Sequence, residues 1–110
     1  MNTAYFYLTD EGGKLAHKLA AAHPGDIYNK ENFKENLRAG FGRYDSLVCI
    51  MATGIVVRIL APLIVHKTSD PAVVVLDQKG KYAISLLSGH LGGANDLSLI
   101  HISEPTRRSY

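Results

Sequence analysis

Apolar positions along this chain switch between two spacings. Ala4-Tyr5-Phe6-Tyr7-Leu8 is a short apolar and aromatic run and predicts a strand. Leu15 and Leu19 lie four apart, with Ala16, Ala20 and Ala22 on the same side, which predicts a helix. Thr9 or Asp10 can cap its start, and His23-Pro24-Gly25-Asp26 stops it. Ile27-Tyr28 predicts a short second strand. Asn29 then predicts a helix start, with Glu31 in the first turn, Phe33 and Leu37 on the inner face, and Gly40 and Gly42 at its close.

From Ser46 to Ala52 the chain is apolar without alternation, as expected of a strand covered on both faces. Thr53-Gly54 opens a helix carrying Ile55, Val56, Ile59, Leu60 and Leu63, which Pro62 kinks or ends near Ala61. After the turn Lys67-Thr68-Ser69-Asp70-Pro71 comes a second buried strand, Ala72 to Leu76. Gln78-Lys79-Gly80-Lys81 turns the chain into Tyr82 to Leu87, and so short a connection makes an antiparallel pair. A glycine-rich loop and a helix start follow. This order predicts an α/β fold in three layers: a mostly parallel sheet, helices on both faces and one antiparallel hairpin.

Composition narrows the class. At 110 residues the chain is one domain at most. Leu97 to Arg107 resembles the translation of a transposon-end sequencing adapter, so residues 97–110 are expected to be a non-native tail outside the fold. The expected domain is then 1–96, an N-terminal α/β domain of a longer protein. Twelve basic against ten acidic residues is near balance, and without Arg107, Arg108 and Glu104 it is ten against nine. No Lys/Arg cluster breaks that balance, which argues against nucleic acid as a partner. The only cysteine, Cys49, lies in an apolar run and is expected to fill the core. No apolar run is long enough for a membrane span, and no leader pattern opens the chain, so a cytoplasmic protein is expected.

Candidate chemistry gathers at two places. A buried strand becomes a helix at Met51-Ala52-Thr53-Gly54-Ile55, where free amides welcome a carboxylate or an oxyanion. The run Ser88-Gly89-His90-Leu91-Gly92-Gly93-Ala94-Asn95 is the second, and three glycines let its backbone lie close to a ligand. If the two are neighbours, they form one pocket edge. Neither is a nucleotide phosphate loop. His90 is a large polar ring among glycines and suits proton transfer near neutral pH. Ser88 and Asn95 either orient it or bind ligand. Thr53 caps its helix or donates its hydroxyl. Arg58 makes a structural ion pair, stands at a solvated edge, or binds an acidic group. Lys67 is a turn residue or a ligand contact, Asp70 shapes the turn before Pro71, and His66 is a structural histidine. His17 and His23 belong to the surface.

Three blocks carry a more specific signal: Thr53-Gly54-Ile55-Val56-Val57-Arg58-Ile59-Leu60-Ala61-Pro62, then Lys67 to Val75, then Ser85 to Asn95. In that order and spacing they resemble the N-terminal region of the cobalt-precorrin-5A hydrolases, the CbiG family of cobalamin biosynthesis. The likeness is close from Phe41 to Asn95 and loose before it. The family continues after the last block with a helix and further domains, so such downstream domains are expected partners of this one.

The resemblance implies a hydrolase acting on a cobalt-bearing, highly carboxylated tetrapyrrole with a δ-lactone. Water opens the lactone and a two-carbon fragment leaves as acetaldehyde. Cobalt arrives in the substrate, so no cofactor and no metal site of the protein are expected. Lactone opening needs a base for water and donors for the oxyanion. His90 suits the base, and the amides near Gly54 and Gly92-Gly93 suit the donors. Arg58 and Lys67 suit peripheral carboxylates, with Thr53, Ser88, Gly89 and Asn95 as further substrate contacts. A rival expectation is a non-catalytic tetrapyrrole-binding module of the same multidomain protein, in which His90 serves affinity and not rate.

Overall fold

The computed structural model describes residues 2–64, 70–88 and 107–109. The first half holds strand β1 (Thr3–Tyr7), helix α1 (Asp10–Ala22), strand β2 (Asp26–Tyr28) and helix α2 (Phe33–Phe41). Strand β3 (Ser46–Ile50) leads into helix α3 (Thr53–Leu60), which tightens into a 3₁₀ turn at Ala61–Leu63. Strands β4 (Ala72–Leu76), β5 (Ala83–Ser88) and β6 (Arg107–Ser109) complete the described elements.

One sheet has the order β2-β1-β3-β4-β5-β6. Its first four strands are parallel, β5 returns antiparallel to β4, and β6 runs parallel to β5. The predicted α/β class and hairpin are therefore present. The stretch 97–110, expected to stand outside the fold, contributes its edge strand β6.

Alternation of side chains along the strands sends two apolar rows to opposite faces. Ala4, Phe6, Leu47, Cys49, Val73 and Val75 meet Leu37 and Phe41 of α2 and Val56, Ile59 and Leu60 of α3. On the other face Tyr5, Val48, Ile50, Val74 and Leu76 meet Leu15, Ala16 and Leu19 of α1. Helices thus cover both faces, which is why β3 and β4 are buried at every position and apolar at all but Ser46.

Local details differ from the sequence pattern in instructive ways. Ala22, the last residue of α1 and expected on its buried stripe, is exposed. Asn29 does not cap α2; its Oδ1 accepts the Glu31 amide in a tight turn at 2.9 Å. The helix starts three residues later, after Asn32 in a left-handed conformation (φ 53°) that Asn tolerates. At the other end Gly42 is the C-cap, while Gly40 is inside the helix, its Cα side packed near Phe6 and Tyr44. Pro62 ends α3, and its missing amide suits the 3₁₀ turn. Edge strand β2 is tied down by its side chains. Tyr28 stacks on Phe6 at 4.9 Å between ring centres, and its hydroxyl lies 2.6 Å from that of Tyr44, which donates to Asp26.

Gly25 has no room for a side chain, since a Cβ there would lie 2.5 Å from the Thr3 carbonyl oxygen. Gly25→Ala is expected to destabilise by about 1–3 kcal/mol, because backbone must shift. Gly54→Ala meets nothing within 4 Å and is expected to stay within about 0.5 kcal/mol of wild type. Urea midpoints compare the two; equal midpoints would refute the steric account.

Burial pushes the Cys49 thiol and the Tyr5 phenol each up to about 12. Tyr5 also donates to the His23 carbonyl at 2.6 Å. Both groups hold their protons more tightly folded than unfolded. Their contribution is complete below pH 9 and is lost as pH rises through about 12. Denaturation at a series of pH values should show stability falling across that window, less steeply in Cys49→Ala. A parallel fall in that variant would remove Cys49 from the account.

Candidate functional site

After β1 the chain passes to β2 on one side, and after β2 it returns to β3 on the other. The sheet order therefore reverses between β1 and β3. In open α/β sheets the crevice at such a reversal, beyond the carboxyl ends of the strands, is where ligands bind. Tyr7, Ile50 and Leu76 end β1, β3 and β4 on one row of the sheet. Two residues past each stand Thr9, Ala52 and Gln78.

Helix α3 begins at this edge. Its N-cap is Ala52, whose methyl group cannot accept a hydrogen bond, so no side chain caps the helix. Thr53 is the first helical residue and not the cap, which leaves its hydroxyl without that role. The Ile55 amide turns back to the Ala52 carbonyl at 3.1 Å. The Thr53 and Gly54 amides precede it and point out of the helix end. Gly54 is exposed, and space above it is open. Arg58 lies one helical turn beyond Gly54 on the same face, is exposed, and has no ion pair among the described residues. Of the three roles expected for Arg58, the structural ion pair is absent there.

Opposite α3, Thr9 does two things with one hydroxyl. Its oxygen accepts the Gly12 amide at 3.0 Å and caps α1, as expected, and its proton goes to Gln78 Oε1 at 2.8 Å. Nothing in the sequence links residues 69 positions apart, so Gln78 carried no signal. On the flank of α1, Tyr7, Asp10, Gly13, Lys14 and His17 line a shallow open groove of about 470 Å³. His17, expected at the surface, is exposed there, with Nδ1 against the Gly13 carbonyl at 2.7 Å. That contact makes Nδ1 the protonated nitrogen, because a carbonyl only accepts.

The second candidate segment departs from elsewhere. β5 runs antiparallel, so Ser88 pairs with Ala72 at the start of β4, while Ala83 pairs with Leu76 at its end. Four residues at about 3.3 Å each put roughly 13 Å between those rows. Ser88 thus enters the glycine-rich run from the edge of the sheet opposite Thr53 and Gly54. The structure brings together Thr53, Gly54 and Arg58, and it separates Ser88 from them. Lys67, Gly89, His90, Gly92, Gly93 and Asn95 lie outside the described residues, as does His66.

Cys49 is fully buried and has the raised thiol described above, so it is core and not nucleophile, as expected. Asp70, at the entry to β4, is buried. No group of three or more metal-ligating side chains occurs among the described residues, and none of their helices is long and apolar enough to cross a membrane.

Comparison with known proteins adds a name to this arrangement. The sequence model of the family "Cobalamin synthesis G N-terminal" matches residues 35–104. The chain belongs to this family. A cobalt-precorrin-5A hydrolase of Salmonella typhimurium is 47% identical over 107 residues, covering 86% of this chain and 30% of the relative. One from Priestia megaterium is 53% identical over 58 residues, covering 53% of this chain and 16% of the relative. The crystal structure of a cobalamin biosynthesis protein G homologue from Sulfolobus solfataricus superposes with a TM-score of 0.78 at 26% identity, over 96% of this chain and 36% of that one. The chain therefore spans about a third or less of the length of the relatives it matches. The resemblance read from three sequence blocks and the α/β class both stand.

Ellman's reagent at pH 8 is expected to leave Cys49 unmodified in the folded chain and to modify it fully in guanidinium chloride. Fast reaction of the folded chain would show that the site of Cys49 opens.

Proposed function

We propose that this chain is the N-terminal part of a cobalt-precorrin-5A hydrolase of cobalamin biosynthesis. The observation that carries the reading is the 47% identity to the Salmonella typhimurium enzyme over 86% of this chain. The substrate is then a cobalt-containing tetrapyrrole, the metal is cargo and no cofactor is needed. The rest of the hydrolase is supplied by downstream domains, in the cytoplasm.

Water adds to the δ-lactone carbonyl, and the acyl carbon–oxygen bond breaks to give a carboxylate and a hydroxyl. Loss of that hydroxyl's proton breaks the adjacent carbon–carbon bond. Acetaldehyde leaves, and the electron pair stays on the macrocycle until a proton is returned. His90 is the group we assign to proton transfer, because imidazole titrates near neutral pH. Gly92 and Gly93 amides would face the oxyanion, with Ser88, Gly89 and Asn95 as substrate contacts beside them.

The opposite direction of β5 supports a division of labour. The Thr53 and Gly54 amides and the Arg58 guanidinium stand at the edge of the sheet opposite Ser88, and we assign them to peripheral carboxylates. Lys67 is assigned to a carboxylate as well. A large macrocycle edged with carboxylates offers groups to both.

Acetaldehyde release from cobalt-precorrin-5A by a full-length protein carrying this chain tests the reading. Arg58→Ala is expected to raise KM about tenfold with kcat little changed, the loss of one charge-assisted contact. His90→Ala is expected to lower kcat by about 10²–10⁴. If His90→Ala weakens binding and leaves kcat intact, the domain is a tetrapyrrole-binding module instead. No turnover by the folded wild-type protein would sink the hydrolase assignment.

A further inference from the structure

The Thr9–Gln78 hydrogen bond joins two connections at the carboxyl edge of the sheet. Thr9 belongs to the connection after β1 and Gln78 to the turn after β4, and β3 lies between those strands. The bond therefore passes across the exit of β3, at the level of Ala52, where α3 begins. The turn that carries Gln78 is itself held firmly. Asp77 accepts the Tyr82 amide at 2.8 Å and the Lys79 amide at 3.3 Å through its carboxylate, and the Gly80 amide at 3.0 Å through its carbonyl.

A hydroxyl has one proton and two lone pairs. Capping α1 uses one lone pair of Thr9, and the proton is given to Gln78 Oε1. The planar amide must then direct Nε2 away from Thr9. Its two N–H groups have no acceptor among the described residues, and the side chain is exposed. Gln78 thus offers hydrogen-bond donors in a fixed orientation at the reversal of the sheet order.

We propose that Gln78 is a substrate-binding residue that gives Nε2–H to a carboxylate or carbonyl oxygen, and that Thr9 is the positioning residue that sets its orientation. This rests on the reading that the edge meets a carboxylated tetrapyrrole.

Substitutions at Thr9 can invert the amide without removing the cap. In Thr9→Asp the carboxylate still accepts the Gly12 amide but has no proton to give, so Gln78 turns Nε2 toward it and presents Oε1 outward. Thr9→Ser keeps the original pattern. So does Thr9→Asn, whose oxygen caps while its nitrogen donates. A full-length protein carrying this chain, and its variants, are titrated with cobalt-precorrin-5A, followed by the tetrapyrrole absorbance, with Tm measured in parallel. Thr9→Asp and Gln78→Ala are each expected to weaken binding about tenfold at unchanged Tm, while Thr9→Ser and Thr9→Asn bind as wild type. In the Gln78→Ala background, Thr9→Asp should add no further loss. A full additional loss there would assign the effect to charge and overturn the proposal. Wild-type affinity in both single variants would overturn it too, with the hydrolase reading untouched. Absence of binding by the full-length wild-type protein would take down the reading and the proposal together.

Discussion

Ser46–Ile50 lies inside the sheet with every side chain removed from water. Its neighbours β1 and β4 satisfy the backbone on both sides, and α1 on one face and α2 with α3 on the other cover the side chains. A strand so enclosed tolerates no polar group without a partner and no shift of register, because a one-residue slip exchanges its two faces. The position of everything at the carboxyl edge follows. Ile50 ends flush with Tyr7 and Leu76, so the three connections leave the sheet at one level and meet. The open start of α3 and the Thr9–Gln78 bridge are consequences of that shared row.

The order of elements was legible because the burial of each strand is written in its residue types. Val73-Val74-Val75 suits nothing but a covered strand, and Leu15 with Leu19 suits only a helix with one covered side. The start of α2 was not legible. Asn29 can cap a helix or close a turn with the same oxygen, and the choice went to the turn because a later Asn accepts the left-handed conformation. Thr53 posed a similar ambiguity and resolved the other way from Thr9, although both follow a strand. Thr9 is extended and stands before its helix, whereas Thr53 is already inside one, behind an extended Ala52.

The candidate site was legible in part. The short connection between β4 and β5 announces an antiparallel pair, and an antiparallel strand necessarily delivers the chain to the edge it came from. Ser88 accordingly ends β5 beside Ala72, at the edge of the sheet opposite Thr53 and Gly54. The pairing of Thr9 with Gln78 was not legible. A bond across 69 positions is set by tertiary geometry alone, and no local pattern foretells it.

The placement of β3 also has a consequence in time. β1 pairs with β2, which follows within the first 28 residues, and with β3, which is complete only at Ile50. At about 5–20 residues per second, a ribosome needs roughly 2–9 seconds between finishing Tyr7 and finishing Ile50. For that interval Ala4 to Tyr7 have an unfilled backbone edge beside some of the most apolar residues of the chain. The newborn segment is then a template for any extended strand nearby, and its safe passage depends on how quickly the next forty residues arrive.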